Sequence, residues 1–190
     1  STALSATTGA SVNACPTVTT SYTITGTYAN GCTDTHVVTV TVNPLPTVAA
    51  ANATICQGNC ATLTASGATT YTWTPSTALS ATTGASVNAC PTVTTSYTIT
   101  GTDANGCTDT HVVTVTVNPL PTVAAANATI CQNACATLTA SGATSYTWTP
   151  STALSATTGA SVNACPTVTT SYTITGTNAS GCTDTHVVTV

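Results

Sequence analysis

Residues Ser1–Thr27 recur without change as Ser76–Thr102 and again as Ser151–Thr177, so the chain is one motif reiterated every 75 residues. Between Asn43–Pro75 and Asn118–Pro150 only three positions differ: Gly58/Asn133, Asn59/Ala134 and Thr70/Ser145. Such a chain cannot fold around one long-range core. Each copy must bury its own apolar face or share it with its neighbour, which is the logic of a repeat array. Catalysis needs one distinctive constellation of groups, whereas this chain offers the same module again and again. The expectation is therefore a structural protein rather than an enzyme, with no catalytic residue, no metal and no cofactor.

Asn43-Pro44-Leu45-Pro46 and Asn118-Pro119-Leu120-Pro121 punctuate the repeats. Two prolines in four residues make a short, stiff, extended connector. They divide the chain into the C-terminal part of one repeat (1–42), a complete repeat (43–117) and a nearly complete one (118–190). A chain that opens and closes inside repeats reads as a window on a longer polymer. A subunit completed by strand exchange with its neighbours is the other expectation.

Composition narrows the partners. There is no Lys, Arg, Glu, Met or Phe, and four Asp (Asp34, Asp103, Asp109, Asp184) carry the formal charge of −4. With no cation to neutralise phosphates, nucleic acid is excluded, and so is a polybasic route to anionic lipid. No apolar run approaches the ~20 residues that span a bilayer. Thr supplies 53 of the 190 residues, so hydroxyls rather than charges must hydrate the surface. Ten Cys spaced by the repeat point to disulfides and an oxidising, extracellular setting. Cys56 and Cys60 form a C-x3-C pair, but Cys90 and Cys107 lie far from it in sequence, which argues against zinc.

After each connector the sequence alternates with period two and has no helical period. The strands expected are Thr47–Ala51, Cys60–Ala65, Thr70–Thr74, Ala85–Cys90, Ser96–Thr102 and Cys107–Val117, with a turn at Cys56–Asn59. Leu63, Tyr71, Trp73, Val87, Tyr97, Ile99, Val113 and Val115 face inward as one core. Asn105-Gly106 signals a hairpin, and the doubled Val112-Val113 suggests a bulge. Six or seven short strands in 75 residues read as a small all-β sandwich.

Ile55-Cys56-x-Gly58-x-x-Ala61-Thr62-Leu63-Thr64-Ala65, Tyr71-x-Trp73, Tyr97-Thr98-Ile99-x-Gly101-Thr102-Asp103-Ala104-Asn105-Gly106-Cys107 and Val113-Thr114-Val115-Thr116-Val117 carry a resemblance. The sequence resembles the immunoglobulin-like and PKD-like repeats of large secreted surface proteins of Bacteroidota, including gliding-motility adhesins. The resemblance implies tandem Ig-like sandwiches of about 75 residues arranged head to tail. Ala65 and Ile99 occupy the two core positions where an antibody domain has cysteines, and Tyr97 matches the tyrosine corner. A core without Phe or Met is thin and needs staples.

Within that topology Cys60 opens one strand and Cys90 closes its antiparallel neighbour, both on the outer face. This gives Cys60–Cys90 and Cys135–Cys165 within a repeat. Cys56 and Cys107 belong to the resembling family's pattern and leave two solutions. One keeps Cys56–Cys107 and Cys131–Cys182 inside repeats; the other joins neighbours through Cys56–Cys182.

Asp109-Thr110-His111, repeated as Asp34/His36 and Asp184/His186, puts a carboxylate and an imidazole on one strand face. With no third ligand nearby, a surface pair is the better reading. Asp103 becomes Tyr28 and Asn178 in the other copies, which leaves too few carboxylates for calcium. Asn52, Asn127 and Asn178 lie in N-glycosylation sequons, so covalent glycans are a further expectation. The function expected is a structural repeat of an extracellular, cell-surface filament or adhesin stalk, whose partners are neighbouring copies of the repeat. The alternative is a glycan- or ice-binding repeat acting by avidity, suggested by T-x-T rows such as Thr114-Val115-Thr116.

Overall fold

The computed structural model describes residues 3–190 and contains strands and turns, with no helix among the described residues. The first two strands, β1 (Thr20–Thr27) and β2 (Thr33–Val40), form an antiparallel hairpin in register from Thr20↔Val40 to Thr27↔Thr33. Seven strands follow in the complete repeat: β3 (Ala49–Ala50), β4 (Ala53–Cys56), β5 (Ala61–Ser66), β6 (Thr70–Thr74), β7 (Ser86–Ala89), β8 (Thr95–Thr102) and β9 (Thr108–Asn118). They make two sheets, β3-β5-β7 and β4-β9-β8-β6. The last repeat contributes β10 (Ala136–Thr139), β11 (Ser145–Thr149), β12 (Ser161–Ala164), β13 (Ser171–Thr177) and β14 (Thr183–Thr189). Here β10 pairs with β12, and β11-β13-β14 form the facing sheet.

The protein is thus all-β and built as Ig-like β-sandwiches. Alternation explains the layering of the middle and last repeats, because one side of most strands carries Thr, Ser or Asn to solvent and the other carries the apolar set inward. On β5, Leu63 is 2% exposed while Thr62 and Thr64 are open to water. Tyr71, Trp73, Val87, Tyr97, Ile99, Val113 and Val115 join Leu63 in one core, together with Val48, Ile55, Ala65 and Ala89. Leu138, Tyr146, Trp148, Val162, Tyr172, Ile174 and Val188 build the equivalent core in the last repeat.

Three buried polar tips each find a partner, as a thin core requires. Trp73 Nε1 donates to the Gly84 carbonyl at 2.9 Å, and the Tyr71 hydroxyl donates to the Ala68 carbonyl at 2.8 Å. The Tyr97 hydroxyl donates to the Thr77 carbonyl at 3.1 Å, and burial pushes its pKa above the ordinary 10.0.

Of the expected first strand, Thr47–Ala51, only Ala49–Ala50 is a strand, and a strand the sequence did not suggest, Ala53–Cys56, follows it. β3 pairs antiparallel with β5, then the chain crosses to the other sheet, where β4 pairs parallel with β9. Asn52 sits at the crossing, its Oδ1 accepting from the Thr114 N–H at 2.8 Å. The expected bulge at Val112-Val113 is absent. The β8–β9 register runs unbroken through Thr98↔Val112 and Tyr97↔Val113, and Val112 simply points outward, 57% exposed.

Turn chemistry accounts for one of the three differences between Asn43–Pro75 and Asn118–Pro150. Gly58 has φ +88°, and its counterpart Asn133 holds the same left-handed region at φ 64°. Asn tolerates that region better than other side chains do. The hairpin between β8 and β9 spans Asp103–Cys107, with Gly106 at φ +80° and its N–H bonded to the Asp103 carbonyl. It is a type I turn closed by a left-handed glycine, one of the longer hairpin loops.

Candidate functional site: the module junction and its cysteines

Cys60 immediately precedes β5 and Cys90 immediately follows β7, one step beyond the Ala61↔Ala89 pair. Their Cα atoms lie 4.2 Å apart and the two are joined by a disulfide, as are Cys135 and Cys165. Both bridges lie on the solvent face, in line with the hydrogen bond from Thr62 Oγ1 to Asn88 Oδ1.

The third disulfide joins Cys56 to Cys182 across 126 residues, with Cα atoms 5.5 Å apart. Cys56 ends β4 opposite Asn118, where the middle repeat hands over to the connector. Cys182 lies in the turn between β13 and β14 and is 1% exposed. Asn178, at the start of that turn, donates through Nδ2 to the Pro119 carbonyl of the connector at 2.9 Å. Its Oδ1 accepts from the Ser180 and Cys182 N–H groups, so one side chain shapes the hairpin and ties it to the proline segment. Asp103 Oδ1 makes the corresponding bonds to Asn105 and Cys107 N–H.

The intra-repeat alternative, Cys56–Cys107 with Cys131–Cys182, is not what the structure contains. β9 explains why: its 11 residues run from beside Cys107 to Asn118, opposite Cys56. At ~3.4 Å per residue the two cysteines stand about 35 Å apart, against the ~7 Å a disulfide can span. Cys107 is half-buried and unbonded, and Cys15, Cys32 and Cys131 are exposed and unbonded.

The Asp–His pairs are not the surface pairs expected from sequence. Asp109 Oδ2 accepts from the Val48 N–H at 3.4 Å, and the His111 ring Nε2 lies 3.1 Å from the Ala50 carbonyl. A carbonyl only accepts, so Nε2 carries the proton there. His186 holds Ala125 in the same way at 3.2 Å. The two side chains fasten the first strand of a repeat onto its last, a role invisible without the pairing of distant strands. Asp34 instead accepts from the Thr35 N–H, and His36 is exposed.

Among the described residues no group of three or more His, Cys, Asp or Glu converges as metal ligands would. No helix among the described residues is long and apolar enough to cross a membrane. The three sequon asparagines differ in use. Asn178 is engaged through both ends of its amide, whereas Asn52 and Asn127 are exposed and bonded only through Oδ1, to Thr114 and Thr189 N–H.

No family model matches the chain, and no curated protein matches it. Solved structures share its general architecture. The two immunoglobulin domains of DIP-gamma align over 76% of this chain and 96% of theirs, with 13% identity and a TM-score of 0.40. A calcium-stabilised adhesin with which an Antarctic bacterium binds ice aligns over 90% of this chain and 55% of its own, with 13% identity and a TM-score of 0.42. The insect immune protein hemolin aligns over 88% and 55%, with 15% identity and a TM-score of 0.38. These likenesses concern fold only. The class is a chain of Ig-like modules with a covalent clasp between two of them.

Proposed function

We propose that the chain is a structural repeat of an extracellular filament or adhesin stalk, working by mechanical continuity rather than by catalysis. The observation that carries this reading is the Cys56–Cys182 bridge, which ties one sandwich to the next across a proline connector. Together with the peptide bond itself it gives the junction two covalent links, which restrain bending and keep a locally unfolded module attached. Disulfides inside each repeat and the absence of any Lys or Arg for trypsin to cut suit persistence outside a cell. The resemblance to repeats of secreted Bacteroidota surface proteins supports a cell-surface setting, with copies of the repeat as partners and glycans on the asparagines that remain exposed.

Glycan or ice binding by avidity has less support. Tyr28, 70% exposed, is the one aromatic displayed at the hairpin, and its counterparts are Asp103 and Asn178. Electron microscopy of the native material tests the proposal. Fibres with an axial period of roughly 35–45 Å are expected, the length of β9 at ~3.4 Å per residue plus a connector. Discrete particles without that period would overturn it and leave the binding-module reading in front.

A further inference from the structure

The Cys56–Cys182 bridge shortens the covalent route through two modules as well as fastening them. The two cysteines are 126 residues apart along the chain, with their Cα atoms 5.5 Å apart in space. A pull on the chain follows the shortest covalent route. That route runs from the connector at Asn43–Pro46 along β3 and β4 to Cys56, across the sulfurs to Cys182, and on along β14. Residues 57–181 hang from it as a loop, and a loop whose ends do not separate bears no tension. The strands β5 to β13 lie inside that loop, and with them Trp73, Trp148 and both intra-repeat bridges. The connector at Asn118–Pro121 lies inside it too, which makes that stiff segment a spacer between modules rather than a tether.

What remains in the route is already drawn out. β4 runs parallel to β9, so it delivers Cys56 to the end of the sandwich where β9 reaches Asn118. β14 starts at Thr183, next to the bridge, and carries the chain away from it through the last repeat. Thirteen peptide steps from Asn43 to Cys56 and eight from Cys182 to Val190 reach about 70–75 Å at full stretch. Two folded repeats at roughly 35–45 Å each have about the same length, so the route has almost no slack. Without the bridge, a pull would leave the middle repeat through β9. β4 and β9 would then be drawn in opposite directions and would shear through the pairs from Ala53↔Val115 to Cys56↔Asn118. With the bridge, tension that enters β4 leaves at β4's own end, and β9 stays slack.

We propose that the Cys56–Cys182 bridge is an extension stop. Tension passes through β4, the S–S bond and β14, and the strands β5 to β13 of the two repeats are shielded from it. A sandwich that opens inside the loop therefore adds no length to the molecule, and it refolds with its ends still held together. The use of such a stop in a filament rests on the mechanical reading above, whereas the shielding is a property of the single chain.

The test stretches the full chain between tags at its two ends in an optical trap, with free thiols alkylated, and reads the contour length. Cys56→Ser with Cys182→Ser should lengthen the drawn-out chain by about 220–240 Å. Of the 126 residues released, two stretches of 30 stay closed by their own bridges, and the other 66 are drawn out at ~3.3–3.6 Å each. Cys60→Ser with Cys90→Ser, or Cys135→Ser with Cys165→Ser, keeps the stop and should leave the parent length unchanged. A route through the connector would instead make either variant about 100 Å longer. That lengthening, or a parent chain as long as the variant without the Cys56–Cys182 bridge, would overturn the proposal. Fibres in the microscope without the length difference would refute the stop alone, and the length difference without fibres would refute the filament alone.

Discussion

Removing the Cys60–Cys90 bridge by C60S/C90S should destabilise the middle repeat and leave the last one alone. The cysteines are separated by 30 residues. In the chain-entropy account a loop of that length is worth about 3.6 kcal/mol at 25 °C. For a domain of this size each kcal/mol moves Tm by roughly 4–8 °C, so a fall of about 15–30 °C is expected. The molecule contains its own control, because Cys135–Cys165 closes an equal separation around a nearly identical core. Each core holds one tryptophan, Trp73 or Trp148, each 1% exposed. Calorimetry should therefore resolve the variant into two transitions, with about half of the tryptophan fluorescence change in the earlier one. A shift below about 5 °C, or both repeats melting together at a lower temperature, would refute the argument that the bridge acts locally by restraining the unfolded chain.

Gly101→Ala should cost about 1–3 kcal/mol by overpacking, since its Cβ would come within 2.5 Å of Val48 Cγ2 and 2.8 Å of Ala68 Cβ; urea unfolding measures it. His111→Ala should release the first strand at a cost of about 1 kcal/mol, seen as faster amide exchange around β3 and β4 with the β8–β9 amides still protected. Alkaline titration should find stability constant below pH 10 and falling above it. Burial raises the pKa of Tyr97 and Tyr172, so the unfolded state loses its phenolic protons first, and Tyr97→Phe should flatten the middle repeat's share of that fall. Expressed in a host with N-glycosylation machinery, the chain should carry glycan on Asn52 and Asn127 and not on Asn178, whose Nδ2 is held by Pro119; peptide mass mapping decides.

Much of the sandwich is legible in the chain because its signals are local. Alternation places Leu63, Tyr71, Trp73, Tyr97 and Ile99 on one side of their strands, and Asn105-Gly106 marks the hairpin. The errors fall where a residue's neighbour lies far away in sequence. Ala53–Ile55 shows no strand signal of its own, and Cys56 reads as the start of a turn, until β9 is laid parallel beside them. Val112 next to Val113 looks like a bulge because an outward Val is indistinguishable, in sequence, from an inward one. Asp109 and His111 look like solvated charges because their partners, Val48 and Ala50, are 61 residues away.

The division for the cysteines is sharper still. Spacing and periodicity by themselves establish a repeated all-β module with no cation, an aliphatic and aromatic core and four cysteines in each full repeat. Which cysteines meet is decided by the length and direction of β9. It carries Cys107 to the end of the sandwich opposite Cys56, while the connector brings the next repeat's hairpin, with Cys182, up to Cys56. Sequence determines composition and local periodicity because those are properties of neighbouring residues. The clasp between modules is a property of distance in space, which only the folded chain sets.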